Sequence, residues 1–168
     1  MESVRTIRKW FWVWDFEKEE DWLNEMAMNG WVLVGVGWCT YHFARCVPGE
    51  YSVRLEMHPY DEGYLEFMRE TGAEYAGRMM MWIYFRKKTA EGPFDLFSDV
   101  DSKISHLKKI GRMLSIIGIT NLVIGIANSF NPSHLGWINL LCATLLMYAL
   151  GRIHGKQEAL ERERLLHE

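Results

Sequence analysis

The stretch MLSIIGITNLVIGIANSFNPSHLGWINLLCATLLMYALG, residues 113–151, holds no Asp, Glu, Lys or Arg in 39 consecutive positions. A bilayer core about 30 Å thick is crossed by a helix of about 20 apolar residues. Met113 to Phe130 supplies one such segment, and Leu135 to Gly151 a second, slightly short one that its flanks extend. Between them, Asn131-Pro132-Ser133-His134 is turn chemistry: proline ends a helix, and Asn and Ser accept local hydrogen bonds. A buried hairpin of a soluble bundle shows a polar face. This stretch shows none, and nothing else in the chain is suited to bury it. The reading is a transmembrane helical hairpin over residues 113–151, with the lipid bilayer as its first partner.

The loop of this hairpin carries no Lys or Arg, whereas Lys108, Lys109 and Arg112 precede it and Arg152 and Lys156 follow it. The positive-inside rule then sets both termini in the cytoplasm and the hairpin in the cell inner membrane. Gly111, Gly118 and Gly125 recur every seven residues on the first helix, and Gly136 and Ala143 on the second. Small residues let membrane helices approach closely. Packing within the hairpin is the plainer reading, and a homo-oligomer through Gly151-x-x-x-Gly155 the sharper one. No ionisable residue of the kind a transporter needs lies inside the span.

Working outward, residues 1–102 carry 18 acidic and 11 basic side chains, net −7, and residues 103–112 add four positive charges. The whole chain of 168 residues is at −3. That balance argues against nucleic acid as a partner, because phosphate needs neutralising. Three cysteines, Cys39, Cys46 and Cys142, form neither a C-x-x-C pair nor a disulfide framework. Cys39 reads as a core residue. Cys39, His42 and Cys46 on one strand point to different faces and are poor joint metal ligands. No cofactor or metal is expected.

The first 90 residues alternate strand and helix. Lys9 to Trp14 reads as an aromatic strand, and Phe16 to Asn29 as a helix with Asp15 as its N-cap and Gly30 ending it. Trp31 to Arg45 is a second extended run with a bend or bulge at Gly35 and Gly37. Val47-Pro48-Gly49-Glu50 is a type II turn. Tyr51 to Met57 is a hairpin strand whose Arg54 and Glu56 face water, Asp61 to Thr71 a helix stopped by Gly72, and Met79 to Arg86 the last strand. The order β-α-β-β-α-β is that of the split βαβ, so the fold class is α+β: a ferredoxin-like βαββαβ cytoplasmic domain over residues 1–90. Residues 91–112 form a linker and juxtamembrane helix, in which Phe94, Leu96 and Phe97 read as docked and Ser98 with Asp101 as a capping box. Residues 152–168 are a cytoplasmic helical tail.

Both faces of the first and last strands are apolar, which leaves one face in want of a cover. Trp10, Trp12, Trp14, Trp82 and Tyr84 are the residues expected on it. Tryptophan and tyrosine dominate binding hot spots, so this aromatic sheet face is expected to carry a protein partner. An apolar small molecule is the alternative occupant. No nucleotide-binding, metalloprotease or nucleophile-elbow motif occurs, and no catalytic residue is assigned.

The runs Phe11-Trp12-Val13-Trp14-Asp15-Phe16-Glu17, Trp22-Leu23-Asn24-Glu25-Met26-Ala27, Pro48-Gly49-Glu50-Tyr51, Tyr84-Phe85-Arg86-Lys87-Lys88 and Gly92-Pro93-Phe94-Asp95-Leu96-Phe97-Ser98-Asp99 together resemble the bacterial family called domain of unknown function 2812. The resemblance spans roughly residues 7–112. It implies cytoplasmic domains followed by membrane helices, and PadR-type transcription regulators as neighbours and partners. It brings no catalytic residues. The functional expectation is a non-enzymatic, membrane-anchored regulatory or sensory protein.

Overall fold

The computed structural model describes residues 4–97, 99–130 and 136–167. The chain is α+β and divides after Leu96 into two units. The N-terminal unit runs β1 (Arg5–Arg8), α1 (Phe16–Met28), β2 (Trp31–Gly37), β3 (Thr40–Arg45), β4 (Tyr51–Met57), α2 (Glu62–Glu70), β5 (Glu74–Met79) and β6 (Trp82–Lys88). The second unit is two long helices, α3 (Val100–Ser129) and α4 (Gly136–His167).

The strands form two three-stranded antiparallel sheets, ordered β1-β3-β2 and β4-β6-β5, in place of a single four-stranded sheet. Each sheet belongs to one βαββ half, and the halves share one strand order. In each, the second strand bulges at a glycine: the register shifts between Leu33 and Gly35 in β2 and between Tyr75 and Gly77 in β5. Both inner hairpins close with two residues, Trp38-Cys39 and Met80-Met81.

The strand boundaries correct the sequence reading in three places. The first strand is the short Arg5–Arg8, and Lys9 to Trp12 leaves the sheet before a 3-10 turn at Val13–Asp15. Trp31 to Arg45 is itself a hairpin, folded at Trp38-Cys39. The last strand is the second arm of a hairpin whose first arm, Glu74–Met79, carries Gly77 and Arg78, which break its apolar pattern. Cys39 is half-buried in a turn at φ 51° and is not a core residue.

The helix ends follow local chemistry. Asp61 caps α2 by accepting from the Gly63 and Tyr64 amides at 2.9 and 3.4 Å. Gly30 and Gly72 end α1 and α2 at φ 80° and 85°, the left-handed conformation that glycine adopts freely. Asp15 precedes α1 without a side-chain cap and pairs with Lys18 at 2.7 Å. The cap of α3 is Asp99, which accepts from the Ser102 amide at 2.6 Å. The Ser98 part of the expected capping box and the turn Asn131-Pro132-Ser133-His134 lie outside the described residues.

Two cores hold the N-terminal unit. The larger joins Leu23 of α1, Leu33, Tyr41 and Phe43 of the first sheet, and Val53, Leu55, Ala76 and Tyr84 of the second. The smaller packs Met68 of α2 and Ala73 on Ile83 and Phe85, closed by Phe94 with Leu96 against it. The second sheet is therefore covered on both faces. Glu56, expected in water, is buried and accepts from the Tyr64 hydroxyl.

Candidate functional site

Helix α1 lies where the two halves meet. Glu19 falls on its apolar stripe, four residues before Leu23, and is buried. The hydroxyls of Tyr41 from β3 and Tyr84 from β6 both donate to its Oε1, at 2.8 and 2.7 Å. Burial pushes the Glu19 carboxyl above the usual range, and the two phenol hydrogen bonds oppose that rise. One carboxyl thus ties a strand of each half to the helix between them. Glu19 and its clamp escaped the sequence reading, although its i+4 spacing to Leu23 was the available signal.

The next residue, Glu20, and Asn24 one turn after it face the outer edge of β4. Asn24 donates to the Val53 carbonyl (2.9 Å) and accepts from the Val53 amide (2.8 Å). Glu20 accepts from the Leu55 amide at 3.1 Å and faces Arg54 at 3.6 Å. Burial raises the Glu20 carboxyl to about 7; Arg54 and the Leu55 amide pull it down, and Asp21 and Asp95 push it further up. These groups are occupied in holding an edge strand, which is a structural task.

The five expected aromatic residues do not form one surface. Tyr84 is 1% exposed and belongs to the larger core, as do Phe85 and Ile83 on the opposite face of β6 to the smaller. Trp82 is half-buried against the larger core, with its ring 5.5 Å from Phe16. Tyr84 is thus withdrawn from the exposed set, because the second sheet packs on α1 with the face that was expected to be free. Trp10 and Trp12 do reach solvent, at 53% and 45% exposure, and Trp14 stacks on Trp12 at 5.0 Å.

A residue outside the expected set joins them. Trp38, in the β2–β3 turn and 69% exposed, meets Trp10 edge-to-face at 6.2 Å, and Trp10 meets Trp12 at 5.4 Å. The Lys9 amide donates to the Cys39 carbonyl at 3.1 Å, which fixes the segment to that turn. The second hairpin turn lies at the same end. A Cβ on Gly77 would stand 3.2 Å from the Val36 amide nitrogen, and Arg86, paired with Glu74 at 2.8 Å, also donates to the Leu33 carbonyl at 3.1 Å. Leu33 is thus level with Glu74 and Val36 with Gly77, so β2 and β5 run in the same direction. Met80, 77% exposed, and Met81 therefore project from the same end as Trp38.

In the helical unit, Gly111, Gly118, Gly125 and Gly136 all face the α3–α4 seam. A side chain at Gly118 would meet Met147 at 2.5 Å, and one at Gly125 would meet Leu140 at 2.8–3.0 Å. Gly111 faces Leu150 at 3.6 Å, Gly136 faces the Gly125 carbonyl, and Ala143 is buried. Gly151 and Gly155 have nothing within 4 Å of a Cβ position. Among the described residues no group of three or more His, Cys, Asp or Glu is placed to hold a metal ion.

The family model described as protein of unknown function (DUF2812) matches residues 15–119. The chain belongs to that family. The DUF2812 match takes in both cores, the α1 clamp and the first part of α3, whereas Trp10, Trp12 and Trp14 precede it. No curated protein and no solved structure matches the chain.

Proposed function

We propose that the protein is a non-enzymatic, membrane-anchored regulatory or sensory module. The α3–α4 hairpin is the anchor, and the N-terminal unit is the part that makes contacts. The observation that carries this is the outer surface of the hairpin. Ile116, Ile119, Val123, Ile126, Trp137, Leu141, Leu145 and Tyr148 all point away from the α3–α4 seam and are exposed. Both helices are long and apolar enough to cross a bilayer. An exposed apolar area of this extent is suited to lipid and unsuited to water. The basic flanks favour the inner membrane with both termini cytoplasmic. In the regulatory part of this reading, a PadR-type transcription regulator is the protein that responds to the module.

The test is insertion. The full chain should sediment with membranes and be released by detergent alone, not by salt or alkaline wash. Leu122→Arg places a guanidinium on the exposed mid-helix surface. That should cost about 2.5–3.5 kcal/mol of insertion, read as loss of glycosylation- or protease-mapped spanning. A chain that stays in the aqueous fraction overturns the reading. Co-purification of a transcription regulator from native membranes tests the regulatory part.

A further inference from the structure

We propose that the tryptophan end of the N-terminal unit is a bilayer-contact tip, with Trp10, Trp12, Trp38 and Met80 seated at the boundary between lipid headgroups and acyl chains. This deepens the membrane-anchored reading above and rests on it. Three observations select a lipid surface over other occupants.

The first is shape. The exposed apolar side chains sit on one extended segment and two two-residue turns, Trp38 on the first turn and Met80 on the second, that project from one end of the sheets. Projecting turns suit insertion into a soft interface, whereas protein hot spots sit in well-packed complementary pockets. Met80 also holds its turn at φ 54°, where glycine is the ordinary choice. A side chain that is 77% exposed is kept there against conformational preference.

The second is chemistry. The side chains that reach solvent at this end are the indoles of Trp10, Trp12 and Trp38 and the thioethers of Met80 and Met81, with Asp15, which follows Trp14, and Asp61 and Glu62, which follow Tyr60, as neighbouring carboxylates in the chain. The indoles pack on one another at 5.0–6.2 Å, so the rings are pre-arranged. Indoles are enriched at the membrane–water interface, where an apolar body meets lipid and the N–H stays hydrated.

The third is charge. Arg8, Lys9 and Arg78 flank the tip and are exposed. Arg8 is placed to meet lipid phosphates, whereas Lys9 stands over the Phe11 and Trp22 rings at 4.9 and 4.4 Å. Arg78 already stands over the Tyr60 ring at 4.7 Å. Tethering to a membrane hairpin raises the effective concentration of bilayer at the tip, so weak partitioning is enough.

The experiment uses the full chain in vesicles of phosphatidylcholine and phosphatidylglycerol, with bromine near the top of the acyl chains as a fluorescence quencher. Trp137 reports the hairpin, from the difference between wild type and Trp137→Phe. The tip is read in the Trp137→Phe background. There, brominated lipid should quench the remaining emission, and adding Trp10→Phe, Trp12→Phe and Trp38→Phe should remove most of that quenching. Met80→Asp, which removes no fluorophore, should also reduce it, with an unchanged near-ultraviolet dichroism spectrum as proof of folding. If Trp137 is quenched and the tip is not, the proposal is overturned while the anchor stands, and the tip belongs to a protein partner. If Trp137 is not quenched either, the anchored reading fails and the tip with it.

Discussion

The two βαββ halves of the N-terminal unit have the same strand order, a bulge at the same strand and a two-residue turn, yet they use their helices differently. Helix α2 covers one face of one sheet through Met68, Tyr64 and Leu65. Helix α1 serves both sheets. Leu23 packs in the larger core, Glu19 reaches a tyrosine from each half, and Asn24 and Glu20 bond the edge of β4. A helix packed on one sheet can keep its polar residues in water. One wedged between two must bury some of them, and each buried polar group then needs a partner. The joint between the halves is polar for that reason, although the cores on either side are apolar.

The strongest way to break this comparison is to empty one core at a time. Phe43 and Phe85 occupy matching positions in β3 and β6, and both are fully buried. Phe43→Ala and Phe85→Ala should each cost about 3–5 kcal/mol. If the clamp makes the halves one cooperative unit, both variants shift a single denaturation transition of the detergent-solubilised chain. Two separate transitions would show that the halves fold independently.

The pH dependence is the next largest effect. The Glu20 carboxyl stands at about 7 in the folded chain against an ordinary value of 4.5, so folding takes up a proton between those values. The stability from this group is complete below about pH 4.5 and is lost as pH rises through 7. It amounts to at most about 3.5 kcal/mol, at roughly 1.4 kcal/mol per pH unit. Glu19 is raised as well and acts in the same direction. Glu20→Gln should reduce the slope of melting temperature against pH between about 4.5 and 7.

Asn24→Ala sharpens the comparison at the edge of the sheet. It removes two hydrogen bonds to Val53 and should cost about 1–2 kcal/mol. Amide exchange should accelerate at Val53 on the outer edge of β4 but not at positions that β6 protects. The smallest effect belongs to the turns. Cys39 and Met80 are non-glycine residues at φ 51° and 54°. Cys39→Gly and Met80→Gly should each leave thermal stability unchanged or raise it by up to about 1 kcal/mol, because relieved strain outweighs added chain entropy.

Much of the chain was legible because its signals are local. The two helices of the N-terminal unit, their stop residues Gly30 and Gly72, the Gly49 turn, the bulge at Gly35 and the uncharged pair of helices each rest on neighbouring residues, whereas Asp15, read as a cap, pairs with Lys18 instead. The hairpins at Trp38-Cys39 and Met80-Met81 were not legible, since neither turn contains the Gly, Asn or Pro that marks one. The run from Trp10 to Trp14 has strand composition, but β propensity measures fit to a half-buried pleated surface, and these rings found one another instead. Reading that run as a strand also placed Tyr84 on a free face. The duplication was open to view as Gly30-x-x-x-x-Gly35 and Gly72-x-x-x-x-Gly77, each behind a helix and 42 residues apart. What no local pattern carries is the second task of α1, because that depends on a sheet formed later in the chain.

That second task has a bearing on self-association. The outer edge of β4 presents the amides of Val53 and Leu55, the sort of row on which a strand from a neighbouring molecule can be templated. Here the row is filled from within by a carboxamide and a carboxylate of the same chain. Helix α1 stands in for the missing next strand and, unlike a strand, leaves no fresh edge behind it. That arrangement closes the β4 edge to a strand from a second copy of the chain.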